Sequence, residues 1–128
     1  MKILFIIPSL GKGGAERVVV NTCNELCKTN EVKIFIFNEI NEYKNILDDS
    51  IEVIYGEINI CFSILRSNIF VIDEYIDVIN NFAPDIIHSH LYLADILAHS
   101  FFAKNVKYFS HIHNSEIAEY KGFVFAEI

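Results

Sequence analysis

Apolar and polar positions recur along this chain with two different periods, and the switches between them divide it into elements. Lys2 to Ile7 is a continuous apolar run ending in Pro8-Ser9, the pattern of a strand buried on both faces of a parallel sheet. From Ala15 to Lys28 the apolar residues Val19, Cys23, Leu26 and Cys27 return at helical spacing, and Lys28 falls in the last turn, where a cation suits the carbonyl end. Glu31 to Phe37 is rich in β-branched and aromatic residues and predicts a second strand, closed off by the polar stretch from Asn38 to Ser50. Ile51 to Tyr55 predicts a short third strand. Ile69 to Phe82 carries Ile72, Tyr75, Ile76 and Ile79 on one stripe and predicts a helix stopped by Ala83-Pro84. Asp85 to His88 then predicts a fourth strand, Leu91 to Phe102 a helix apolar on most sides, and Val106 to Ile112 a fifth strand.

Strands alternating with helices predict an α/β fold. Parallel strands joined by right-handed crossovers give a Rossmann-like, doubly wound open sheet with the expected order 3-2-1-4-5. Ligands are then expected at the carboxyl edge, where the order reverses between strands one and four.

Composition narrows this picture. A chain of 128 residues with 52% apolar side chains can bury one core and is too short for two, so residues 1–128 read as a single domain. A net charge of -7 with scattered lysines disfavours nucleic acid. The apolar start superficially suggests a signal peptide, but Pro8 follows at once and glycines replace a small-residue cleavage site. No apolar stretch approaches the roughly 20 residues that span a bilayer, so a cytoplasmic protein is expected. Cys23, Cys27 and Cys61 are odd in number and expected to be reduced, with Cys23 and Cys27 packed in the core rather than holding a metal. The chain stops on the apolar residues Phe123 to Ile128, without the polar fraying of a natural terminus, and so reads as incomplete.

Three polar clusters fall at the carboxyl ends of strands one, four and five: Ser9 to Glu16, His88 to His90, and His111 to Glu116. In the first, Gly11, Gly13 and Gly14 permit a tight, positive-φ turn ahead of a helix whose free N–H groups favour an anion; the bland alternative is a turn that merely needs glycines. The pattern departs from G-x-G-x-x-G because Glu16 holds the third glycine position, which weakens a dinucleotide reading. Glu39, just past strand two, keeps an NAD-binding reductase domain as an alternative, since an acidic residue there can hold a ribose. His88, His90, His111 and His113 border the same crevice, and strand alternation puts each pair on one face. A zinc site is conceivable, but four histidines without a carboxylate, cysteine or H-E-x-x-H helix is not a common zinc pattern, so no metal is expected. Any one of them also fits a core imidazole bonded to backbone, and His88, placed nearest the sheet interior, suits that best.

The run Met1 to Pro8 leading into Gly13-Gly14-Ala15-Glu16-Arg17, then Pro84-Asp85-Ile86-Ile87-His88-Ser89-His90, then His111-Ile112-His113-Asn114, resembles the N-terminal domain of GT-B, family 4-type retaining glycosyltransferases. The resemblance covers nearly the whole chain. It implies that Gly13 and Gly14 approach the phosphates and sugar of a UDP- or GDP-type donor, that His113 contacts the transferred sugar with Asn114 beside it, that Glu16 and Arg17 line the cleft, and that His90 shapes the acceptor side. It also implies a glycan or lipid-linked acceptor of cell-surface polysaccharide synthesis, no cofactor, and a C-terminal donor-binding domain that this chain lacks. Members of the family often dock on membranes through basic patches; the acidic balance here gives that no support, and peripheral contact at the inner face stays open. Transfer needs a stabilised leaving group and a sugar held in line, so this chain, with one wall of the site, is expected not to turn over alone. A non-catalytic carbohydrate- or partner-binding module is the remaining alternative.

Overall fold

The structure, a computed structural model, describes residues 1–61 and 69–111. Among them the elements run β1 (Lys2–Ile6), α1 (Gly14–Leu26), β2 (Glu31–Ile36), β3 (Glu52–Tyr55), β4 (Asn59–Cys61), β5 (Ile69–Val71), α2 (Asp73–Phe82), β6 (Ile86–His90), α3 (Tyr92–His99) and β7 (Lys107–His111). Five strands form one sheet in the order β3-β2-β1-β6-β7. Every pairing in it is parallel. This is the expected 3-2-1-4-5 arrangement, with β6 and β7 as the fourth and fifth strands.

The apolar run of β1 explains why it lies in the middle. Its alternate side chains feed two cores: Ile3, Phe5 and Ile7 join Val19, Val20 and Cys23 of α1 on one face, while Leu4 and Ile6 join Tyr75, Ile79 and Phe82 of α2 and Ala94, Leu97 and Ala98 of α3 on the other. Leu4, Phe5, Ile6 and Ile7 are wholly buried, and burying each contributes about 1.5–3 kcal/mol. Cys23 is buried and Cys27 half-buried against the α1-side core, both as free thiols. Burial pushes the Cys23 thiol far above its ordinary range.

Several boundaries differ from the sequence pattern. The helix expected from Ile69 begins only at Asp73, because Ile69–Val71 forms a short antiparallel pair with Asn59–Cys61. That run is β-branched and aromatic, and the acidic pair Asp73-Glu74 marks the true helix start. Helix α1 ends at Leu26, leaving Lys28 beyond it, paired with Glu25 at 3.0 Å. No described helix joins β2 to β3. Instead the intervening segment buries Tyr43 and Leu47 and is clamped to α1 by Asn24, which donates to the Ile46 carbonyl (3.0 Å) and accepts from the Asp48 N–H (2.9 Å).

A carboxylate fixes the end of the sheet that matters for function. Ser89 and Ser110 are register partners on β6 and β7. Both hydroxyls donate to the same oxygen of Asp95 on α3, Ser89 at 2.8 Å. One side chain thereby ties α3 to the next-to-last residues of two strands, on the face opposite the histidines, whose alternation puts them on the other side.

Two backbone positions yield tests by chemical denaturation. Ala83, the cap of α2, has φ 52°, a left-handed conformation that penalises any Cβ; Ala83→Gly is expected to stabilise the chain by about 1 kcal/mol. A Cβ at Gly56 would lie 2.7 Å from the buried Phe35 ring, so Gly56→Ala is expected to destabilise by about 1–3 kcal/mol. Opposite signs at these two sites would contradict the placement of both turns.

Candidate functional site

The order reversal falls between β1 and β6, and the segments leaving these strands form the expected rim. After β1 the chain is stitched to the segment after β2: Pro8 carbonyl accepts from Phe37 and Asn38, Leu10 donates to the Ile40 carbonyl, and Glu42 donates to that of Leu10, all at 2.8–3.1 Å. This holds the following glycines in place. No described glycine has a positive φ, and Gly13, the residue before α1, is extended at φ -132°. None of them needs an unusual torsion, and in this turn close approach is confined to Gly13, which corrects the positive-φ turn expected from the sequence. A Cβ on Gly13 would fall 2.2 Å from Glu16 Oε2, so the carboxylate folds back over the turn. A Cβ on Gly14 would meet nothing within 4 Å, leaving an exposed stretch of bare backbone at the start of α1.

Glu16 is half-buried in the first helical turn and Arg17 is exposed beside it. A carboxylate suits the positive end of a helix. It also occupies the space an anion would take, so Glu16 makes this turn a poorer phosphate cradle than the glycines alone would suggest. Arg17 makes no ion pair among the described residues.

On the α1 face of the sheet the histidines of β6 and β7 form a ring cluster with Phe5. His88 aligns with Phe5 on one side and Phe109 on the other, and His90 aligns with His111. Ring centroids lie 4.4 Å apart for His88 and His90, 4.9 Å for His90 and His111, and 6.0 Å for His88 and His111. Phe5 stacks on His90 at 5.7 Å and tilts against His88 at 5.2 Å. His90 is buried, His88 half-buried and His111 exposed. The sequence suggested that His88 best suits a core imidazole; His90 is the most enclosed of the three instead, because burial on a strand follows what lies over the face rather than distance from the strand end.

Immediately after His90 the backbone turns sharply at Leu91, with φ 73° and ψ 154°. This region is close to glycine-only and costs about 1–3 kcal/mol for a branched residue. The turn directs Leu91 against the α1-side core, while its carbonyl accepts from the Asp95 N–H at 3.0 Å.

Of the residues singled out from the sequence, Gly13, Gly14, Glu16, Arg17 and His90 thus follow strands one and four on the same edge of the sheet, and His111 ends the neighbouring strand. His113 and Asn114 lie outside the described residues. Glu39 is exposed past the end of β2. Phe5, Leu91 and Asp95 escaped sequence reasoning; only Asp95, a lone acid in an apolar helix, carried a signal. A groove of about 750 Å³ also lies at the opposite, amino edge, lined by Lys2, Asn30, Glu31 and Asp85 among others. It is shallow and open, and ligands of open parallel sheets sit at the carboxyl edge. No described helix is long and apolar enough to cross a membrane.

Comparison with known proteins bears on this edge directly. Over 38 residues, 30% of this chain, the sequence is 55% identical to the GalNAc-alpha-(1->4)-GalNAc-alpha-(1->3)-diNAcBac-PP-undecaprenol alpha-1,4-N-acetyl-D-galactosaminyltransferase of Campylobacter jejuni subsp. jejuni serotype O:2. The matched stretch is 11% of that enzyme's length. The family model for glycosyltransferase family 4 matches residues 12–125, spanning the glycine turn, β6 and β7. The parallel sheet, its order and this match agree: the chain belongs to glycosyltransferase family 4.

Proposed function

We propose that this chain is the N-terminal, acceptor-side half of a retaining glycosyltransferase that moves a sugar from a UDP- or GDP-type donor to a glycan or lipid-linked acceptor in cell-surface polysaccharide synthesis. The observation that carries the reading is the bare backbone at Gly14, at the reversal point of a parallel sheet, in a chain of family 4. A ligand can lie directly against the first turn of α1 there and receive its outward-facing N–H groups. The lipid-linked substrate in the name of the Campylobacter enzyme favours a similar acceptor class.

In this reading each wall residue has a task set by its charge. Glu16 accepts hydrogen bonds from sugar hydroxyls, which its carboxylate suits better than the diphosphate. Arg17, exposed and unpaired among the described residues, supplies the cation on the donor side. His90, buried against Phe5, shapes the acceptor side, and His113 with Asn114 contacts the transferred sugar. The glycosidic bond to the leaving phosphate breaks as the acceptor hydroxyl adds to the same carbon and face, its proton passing to the departing phosphate oxygen. Charge builds on the departing diphosphate, and stabilising it needs preorganised donors that a second domain would bring.

Two outcomes follow. The 128-residue chain alone should show no transfer and only feeble binding of nucleotide sugars by titration calorimetry; transfer, or micromolar affinity, would contradict a one-walled site. In the complete two-domain protein, Gly14→Ala should leave thermal stability unchanged or raised, since alanine favours a helix over glycine, yet lower transfer by about tenfold or more, the scale of about 1.4 kcal/mol in a barrier. Full activity in that variant would remove Gly14 from the ligand surface.

A further inference from the structure

The histidine cluster has a second property beyond shaping a sugar site. One ring nitrogen from each of His88, His90 and His111 lies within 4.8 Å of the other two. The three side chains stand on a single sheet face, two from β6 and one from the register partner of His90 on β7. From this juxtaposition we infer that His88, His90 and His111 form a three-imidazole site for a divalent transition cation of the zinc or cobalt type.

The geometry is close to what such a cation requires. Imidazole nitrogens bound at about 2.0–2.1 Å in tetrahedral arrangement stand about 3.4 Å apart. Donors at up to 4.8 Å therefore need only modest side-chain rotation to converge, and the backbone need not move, because the parallel ladder already fixes the three Cβ atoms on one side. Phe5 packs against the inner two rings and orients them. His111 is exposed, so one side of the site is open to solvent and leaves a fourth position for water or an oxygen ligand.

Donor chemistry decides which cation. Three neutral nitrogen ligands suit zinc, cobalt, nickel or copper, whereas magnesium and calcium need hard oxygen ligands that this group does not contain. The sequence pattern argued against zinc because it lacked a carboxylate or thiolate. Three-histidine sites with one open position are nevertheless a known class for zinc, and here the assembling element is a pair of parallel strands rather than a helix.

The test uses the 128-residue chain and cobalt chloride as the probe. Visible absorption bands should grow and saturate at one cobalt per chain, zinc should displace them, and a large excess of magnesium should not. His111→Ala, a change at an exposed position on an edge strand, should weaken cobalt binding by at least about tenfold and abolish the zinc-induced rise in Tm. His99→Ala, at an exposed histidine of α3, should leave both unchanged. Imidazole nitrogen–proton correlation spectra of the unaltered chain provide a readout free of any folding defect: three ring systems should shift together on adding zinc. Absence of a saturable one-to-one signal, undiminished binding in His111→Ala, or unshifted ring resonances would overturn the assignment. None of these readouts requires sugar transfer, so the site can fail while the proposed function stands, and the reverse.

Discussion

Everything in this molecule hangs on β1 being paired along both edges and covered on both faces. Its residues align with β2 from Lys2 to Ile6 and with β6 from Ile3 to Ile6. Its alternate side chains divide between the α1 core and the α2–α3 core. A strand in that position leaves no face or edge for a ligand, so its functional consequence appears only where it ends. There the sheet order reverses, the segment after β1 turns one way, and the segment after β6 turns the other. Residues 8–17 and 89–91 are brought to one edge by the packing of five apolar side chains, of which Phe5 also touches the site through His88 and His90.

The rim is held as firmly as the core, by different means. Backbone hydrogen bonds from residues 7–10 to residues 35–42 fix the glycine turn. Asp95 anchors α3 to Ser89 and Ser110 beneath the histidines. Leu91 absorbs the sharp exit from β6 in a conformation that a branched side chain pays for in strain. The resulting surface mixes bare backbone at Gly14, a carboxylate at Glu16 and the imidazole of His111, with His90 buried beneath it. Among the described residues such a wall offers hydrogen bonds and some charge without enclosing a ligand, in keeping with the proposed half of a two-domain cleft.

The fold was largely legible in the sequence because its strongest signals are local. A run of five apolar residues from Ile3 to Ile7, helical spacing from Val19 to Cys27 and a Pro84 stop all report elements whose type needs no knowledge of partners. The miss at Ile69–Val71 came from a pairing with Asn59–Cys61 that no local period encodes. The glycine turn was found, yet its torsions were not, since glycine can signal open space as well as positive φ, and here Gly14 needs only the former. Of the four histidines, His113 lies outside the described residues, while His88, His90 and His111 were correctly gathered by alternation and strand order. Their ranking by burial was not, because cover depends on which side chains and helices lie over the face. Leu91 gave no warning at all: nothing in a leucine announces a conformation usually reserved for glycine.

Hydrogen–deuterium exchange on the proposed two-domain protein, with and without a UDP- or GDP-type sugar donor, tests the central placement most directly. The account predicts slowed exchange in residues 9–17 and 89–91 at the carboxyl edge when donor is present. Slowing confined to residues 27–32 and 83–85, around the amino-edge groove, would contradict it.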